Sequence, residues 1–230
     1  ERVNDLPQKG LKEGPFPFKR NGKYYLTFPW AKDSTEVLAY CMADQPLGPW
    51  KFMGVFMDES PTGCWTNHHS IVEYKGQWYI FYHHNDYSPE FDKNRSARID
   101  TIGFNPDGTI IKVIPTLRGV GNSDARTQIQ IDRYSEIAPT ASIAYLNEAN
   151  KFDGWKTLFK KSGAWVRYNR VEFGQEPVKQ VKFRVLAPKG AKLEVSIAGG
   201  KSIATVNVPR SNNWEIVSAP VKKSPTGLQD

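Results

Sequence analysis

Two segments of the chain repeat one pattern, and that repeat limits the fold more than any other feature. Residues 16–28 read FPFKRNGKYYLTF and residues 70–82 read SIVEYKGQWYIFY. Each has an apolar entry, a charged turn centred on a glycine (Gly22, Gly76) and an aromatic-rich exit. Short glycine turns flanked by β-branched and aromatic residues signal two-residue hairpins, whose twist-compatible turns need positive φ. The two glycines lie 54 residues apart, close to the blade period of roughly 50 residues in propellers. A third hairpin is expected at Ile99–Phe104 and Thr109–Val113, joined by Asn105-Pro106-Asp107-Gly108. Proline and glycine punctuate the intervening stretches, as in Gln45-Pro46-Leu47-Gly48-Pro49-Trp50, and no long amphipathic helix is apparent. Two to three blades cannot close a ring, and a propeller protects its strand edges by closing radially. The remaining blades are therefore expected ahead of Glu1.

The pattern changes at Gly119-Val120-Gly121-Asn122-Ser123, a small, polar stretch suited to a linker. Short alternating runs follow at Gln128–Ile131, Ala164–Val171, Val178–Val185, Lys192–Ile197, Ile203–Val208 and Trp214–Ala219. Turns such as Ala187-Pro188-Lys189-Gly190 separate them at sandwich-like spacing. The expected class is all-β: propeller blades over 1–121, then a β-sandwich of jelly-roll type over 122–230. After the turn Ser224–Gly227 only three residues remain, so a closing strand is expected beyond Asp230.

Composition narrows the partners. A formal charge of +7 and a pI near 9.3 invite a nucleic-acid reading. The Lys and Arg residues are scattered among acidic ones with no dense basic block, so a solvated surface is preferred and no nucleic-acid partner is expected. No apolar run approaches the roughly 20 residues needed to span a bilayer, so no membrane partner is expected. The two cysteines, Cys41 and Cys64, sit in apolar or aromatic surroundings and read as buried free thiols.

The residues with chemistry to offer cluster around the repeat. Glu13, in LKEGPFPF, is flanked by Gly14, Pro15 and two phenylalanines. Desolvation there would raise its pKa and suit a general acid, with an exposed turn glutamate as the bland alternative. His68 and His69 stand in GCWTNHHSIVEY, just before the second hairpin, and His83 and His84 end the strand after it. Equivalent positions on successive blades point toward the propeller axis, so Glu13 and one of these imidazoles would converge. Paired histidines also suggest zinc, but no HExxH or CxxC pattern supports it, and a structural role is preferred. Arg95, in DKNRSARID, is either a surface arginine or a donor to sugar hydroxyls or a carboxylate.

The segments EGPFPFKRNGKYYLTF, TNHHSIVEYKGQWYIFYHH and NRSARIDTIGFNPDGTI resemble successive blades of glycoside hydrolase family 43, five-bladed propeller enzymes acting on xylan and arabinan. The resemblance covers about the first 120 residues. It implies that Glu13 is the general acid of an inverting hydrolysis, that His68 lies at the base of the active-site funnel near a calcium ion or water, and that Arg95 contacts substrate. His69 has no equally firm counterpart. Inversion also needs a carboxylate roughly 6.5–9.5 Å away to activate water. The family places that base on its first blade and a pKa-tuning aspartate on its second. Asp5, Asp33, Asp58 and Asp86 lack the context of either, so the chain is expected to be inactive by itself.

The later segments QIQIDRYSE, SGAWVRYNRVEFG, VKFRVLAP and IATVNVPRSNNWEIV resemble carbohydrate-binding module family 6, a calcium-containing β-sandwich. This implies that Trp155 (or Phe159) and Trp214 clamp a sugar ring, while Gln130 and Asp132 help hold structural calcium. Trp165 is read as a core residue. The segment Asn147–Lys161 is longer than the family pattern, and the asparagine-bearing final strand is expected beyond Asp230. The combined expectation is a fragment of a secreted, periplasmic or surface-bound β-xylosidase or α-L-arabinofuranosidase. Its partners would be plant cell-wall xylan, arabinoxylan or arabinan. The alternatives are a non-catalytic carbohydrate-binding protein and, more distantly, a glycan-recognising adhesion module.

Overall fold

The structure is a computed structural model that describes residues 11, 13–31, 35–60, 63–85 and 95–230. The chain divides into two compact units, Glu1–Val120 and Gly121–Asp230.

The first unit contains two antiparallel sheets. Strands β1 (Phe16–Arg20), β2 (Lys23–Ala31), β3 (Glu36–Ala43) and β4 (Lys51–Met57) form one sheet in chain order. Strands β5 (His69–Tyr74), β6 (Gln77–His84) and β7 (Ser96–Thr101) form the other. The repeat appears as two matching hairpins. Arg20 pairs with Lys23 around Asn21 and Gly22 (φ 47° and 79°), and Tyr74 pairs with Gln77 around Lys75 and Gly76 (φ 51° and 78°). Both central residues are left-handed in each case, the signature of the type I′ turn.

The two sheets share one core. Tyr25, Leu38, Tyr40, Phe56 and Met57 of the first pack with Ile71, Ile80 and Tyr82 of the second and with Ile102, Ile110 and Val113. Phe18 stacks on Tyr25 at 4.5 Å and tilts against Trp78 at 5.3 Å. Burying each large apolar side chain contributes about 1.5–3 kcal/mol. Cys41 and Cys64 are buried thiols outside any disulfide, as expected, and burial pushes the Cys41 thiol up to about 11.

The third hairpin is present but shorter than expected. Gly108 N–H donates to Asn105, Asn105 N–H to Thr109 and Ile111 N–H to Gly103, around a single bridge from Phe104 to Ile110. β7 pairs instead with β6. The chain after the turn leaves toward β4, where Val113 N–H donates to the Phe56 carbonyl at 2.7 Å. Tyr25 Oη donates to the Gly108 carbonyl, and Ile110 N–H donates to Tyr40 Oη. Burial of Ile110 and Val113 in the shared core outweighs continuation of a local ladder.

The second unit is built from short pairs. These are β8 (Ser123–Asp124), β9 (Glu136–Ile137), β10 (Ala141–Tyr145), β11 (Trp155–Phe159), β12 (Val166–Arg167), β13 (Val171–Glu172), β14 (Gln180–Ala187), β15 (Ala191–Ser196), β16 (Ser202–Val208), β17 (Ser211–Pro220) and β18 (Leu228–Gln229). β10 pairs with β11, β9 with β12, β14 with β17 and β15 with β16. β13 lies between β8 and β18. Val206 and Ala204 are fully buried, while β14 alternates exposed and half-buried positions along its length. That alternation is what a sheet with one wet face requires.

After Gly227, Leu228–Gln229 pairs antiparallel with β13. Two expectations change here. Gln128–Ile131 forms no strand but leads into a turn closed by Arg133 N–H on the Gln130 carbonyl. Trp165 is not core: it is 45% exposed, with the Arg167 guanidinium 5.7 Å from its ring. The amphipathic indole is covered by a cation instead of being enclosed by neighbours.

Candidate functional site

The strand register brings the chemistry-bearing residues to one end of the first unit's sheets. Glu13 and Gly14 lead into β1, His68 immediately precedes β5, and His83–His84 end β6. His84 pairs with Ser96, so Arg95 stands just beyond that pair.

Glu13 Oε1 lies 3.3 Å from His68 Nε2, with the carboxylate side chain 60% and the imidazole 33% exposed. The pair is within ion-pair range but not aligned as a hydrogen bond. Gly14 makes this approach possible. Its φ is +68°, and a Cβ there would meet Pro29 at 3.0 Å and His68 Cε1 at 3.2 Å. Only glycine accepts both that conformation and that contact without strain.

His68 is held from behind. Its main-chain N–H donates to His83 Nε2 at 3.1 Å, which puts the His83 proton on Nδ1. Burial pushes the His83 imidazole down to about 4, helped by the charges of Arg95, His68 and His84. Arg95 itself is exposed, yet its field reaches His83. On the other side, the Asn67 N–H donates to the Glu36 carboxylate at 2.9 Å, and Glu36 is 2% exposed. That buried carboxylate fixes the residue before His68. Its only sequence signal is an acid opening an apolar run, Glu36 before VLAYC, which was too weak to single it out.

His69 plays a different part. Thr27 Oγ1 donates to the Phe16 carbonyl at 2.8 Å, so at 2.7 Å it must accept from His69 Nε2. The ring packs between Phe16 and Phe56, and burial pushes it down to about 4. It is a neutral packing histidine.

Of the aspartates weighed as a base, Asp5, Asp33 and Asp86 lie outside the described residues. Asp58 pairs with Lys112 at 2.6 Å and is already charge-compensated. Chemically, the end of the unit presents a half-open carboxyl group backed by an imidazole, with a guanidinium nearby. That set can donate a proton and orient hydroxyls.

In the second unit the aromatic residues have separate neighbours. Trp155 stacks on Tyr145, its cross-strand partner, at 4.4 Å. Trp214 is 39% exposed, with the Arg184 guanidinium 5.3 Å from its ring. Phe159 is 45% exposed on β11. Gln130 and Asp132 would supply two of the six to eight oxygens calcium takes. The carbonyls beside them already accept from Arg133 N–H and Tyr168 Oη. No group of three His, Cys, Asp or Glu side chains suited to a metal occurs among the described residues, so these residues do not by themselves complete a calcium shell.

Propeller-type sheets with a carboxyl–imidazole end are thus followed by a separate β-sandwich in a modular all-β chain. Residues 4–110 match Glycosyl hydrolases family 43, and residues 136–230 match Carbohydrate binding module (family 6). The chain thus carries a segment matched to glycosyl hydrolase family 43 followed by one matched to carbohydrate-binding module family 6, in the order its sequence implied.

Among relatives, a beta-xylosidase of Xylanibacter ruminicola is 40% identical over 100 residues, which is 43% of this chain and 30% of that protein. A xylosidase/arabinosidase of Bacteroides ovatus is 39% identical over 103 residues, 44% of this chain and 30% of that protein. The chain therefore covers about a third of the length of these curated relatives. The crystal structure of a family 43 arabinoxylan arabinofuranohydrolase from Bacillus subtilis superposes with a TM-score of 0.60 at 22% identity. It covers 95% of this chain and 49% of that one, a likeness of fold. No helix among the described residues is long and apolar enough to cross a membrane.

Proposed function

We propose that the protein to which this chain belongs hydrolyses xylan- or arabinoxylan-type polysaccharide as a β-xylosidase or α-L-arabinofuranosidase, with inversion and with Glu13 as general acid. The observation that carries this reading is the placement of Glu13 Oε1 3.3 Å from His68 Nε2, in a segment matched to a glycosyl hydrolase family. The names of the relatives supply the substrate class.

In this mechanism the protonated Glu13 gives its proton to the departing sugar oxygen while water attacks the opposite ring face. His68, locked through its main chain by His83, keeps the carboxyl group at the rim. Arg95 holds substrate hydroxyls by charge-assisted hydrogen bonds. The base that activates water is assigned to none of Asp5, Asp33, Asp58 and Asp86, whose sequence context matches neither family aspartate, and the 230-residue chain alone is expected to show no turnover. The sandwich contributes binding, through the exposed indole of Trp214 and the stacked Trp155. A polymeric cell-wall substrate places the protein outside the cytoplasm.

The test is Glu13→Gln in the whole protein, assayed on xylobiose and on arabinose-substituted xylo-oligosaccharides. Loss of a general acid is expected to slow turnover by about 10²–10⁴-fold, with retention on insoluble xylan unchanged. Unaltered hydrolysis of these poor-leaving-group substrates overturns the assignment.

A further inference from the structure

The charge of the chain is not shared between its units. Glu1–Val120 holds 14 Lys and Arg against 14 Asp and Glu, whereas Gly121–Asp230 holds 17 against 10. The whole formal surplus of +7 therefore falls in the sandwich. A one-sided surplus speaks to partners and steering, not to fold.

Part of that surplus is organised. The exposed positions of β14 are Gln180, Lys182, Arg184 and Leu186, alternating with half-buried Val181, Phe183 and Val185. β17 places Ile216 opposite Arg184, Ser218 opposite Lys182 and Pro220 opposite Gln180. Ile216 is 76% exposed, and Trp214, two residues before it and beside a register shift in the pairing, is 39% exposed. The Arg184 guanidinium stands 5.3 Å from the Trp214 ring. A cation–π contact of this kind keeps the cation beside the ring in place of sweeping through solvent. Among the described residues, neither Lys182 nor Arg184 is paired with a carboxylate. The strip thus offers apolar surface at one edge and two uncompensated cations at the other.

We propose that this face of β14 and β17 binds a carboxylated sugar, a uronic-acid residue within a polysaccharide. The C–H face of the ring lies on Trp214 and Ile216, and the carboxylate is taken by the Arg184 fork with Lys182 beside it. A planar guanidinium matches a carboxylate bidentately, whereas a neutral pentose leaves both cations unused. The inference rests on the sandwich being a sugar-binding module and adds the chemical class of its ligand. Uronate on a xylan side chain and uronate in a galacturonan backbone share that chemistry.

The experiment is affinity electrophoresis of the 230-residue chain, and of its K182Q/R184Q and W214A variants, at low salt. The polymers are glucuronoxylan, the same polymer after carboxyl reduction, polygalacturonate and single-stranded DNA. Native glucuronoxylan is expected to retard the chain at about tenfold lower concentration than the reduced form, the scale of one strong charge-assisted contact. K182Q/R184Q brings that ratio to about one, whereas W214A weakens binding of both forms. Retardation by polygalacturonate extends the site to backbone uronates, and its absence assigns it to xylan side groups; either supports the proposal when the reduced polymer is weaker. Equal retardation by native and reduced xylan overturns the carboxylate claim while the sugar-binding reading stands. No retardation by any xylan overturns both. DNA matching glucuronoxylan, with the same loss in K182Q/R184Q, shows general polyanion binding and overturns the claim.

Discussion

The two units solve the problem of polar groups in opposite ways. In the first, Thr27, Glu36, Asn67, His83, His84, Arg98 and Asp100 are all buried, whereas the buried residues described in the sandwich are Tyr134, Ala138, Ala141, Val171, Ala204, Val206, Val208 and Ala219. Buried polar groups cost stability unless paired, and when paired they fix geometry. The first unit accepts that cost where Glu36 holds Asn67 and His83 holds His68. The sandwich keeps its charge on the surface, with no charged residue among its described buried residues. Paired polar groups inside a core restrict where the loops beside them can sit, whereas surface charge leaves the core unconstrained.

The largest expected break in this comparison is acid. All 4 histidines lie in the first unit, and burial holds His69 and His83 down to about 4. Between pH 6.5 and 4 the folded state therefore binds fewer protons than the unfolded one, so stability rises with pH there. It is full above about 6.5 and is lost as pH falls to about 4, by on the order of several kcal/mol. Hydrogen exchange read by mass spectrometry should show the first unit losing protection across that window while the sandwich, without histidine, holds. Parallel loss in both units contradicts the contrast.

Next in size is Asp100→Ala. Asp100 accepts from Tyr82 Oη at 2.6 Å and from the Thr116 N–H at 2.9 Å, and Thr116 Oγ1 donates to its other oxygen. Truncation strands these buried donors and should cost about 3 kcal/mol in urea unfolding. Glu136→Ala is the matched control in the sandwich. Its exposed pair with Arg167 at 2.8 Å predicts a loss of no more than about 1 kcal/mol. Between these falls Gly14→Ala, assayed in the whole protein. The added methyl meets His68 and Pro29 in a left-handed backbone. It should lower kcat/KM by about 10-fold to 100-fold through misplacement of Glu13. An unchanged rate would mean that the Glu13–His68 approach is incidental.

The same contrast explains what was legible beforehand. The hairpins could be read because Asn21-Gly22 and Lys75-Gly76 are local turn signals that no tertiary contact had to supply. The approach of Glu13 to His68 followed from the offset between those hairpins. The route of 109–113 was not legible, because Val113 answers to Phe56, more than fifty residues away. Nor was the anchor at Glu36, since burial of a carboxylate is decided by what surrounds it, not by its own neighbours in sequence. In the sandwich, β10, β11 and the two-residue strands carry too little periodicity to see. Trp165 was misread because an indole is equally at home in a core or beneath an arginine. The asymmetry of charge was hidden by its even spacing along the chain.

The central claim is that Glu13 delivers the proton to the departing sugar. The most direct measurement is the dependence of kcat/KM on leaving-group pKa for aryl xylosides and arabinofuranosides, in the whole protein and in its Glu13→Ala variant. The account predicts a shallow dependence in the former and a steep one in the latter, with poor leaving groups losing most and dinitrophenyl glycosides nearly spared. Equal slopes in the two proteins would show that the proton comes from elsewhere.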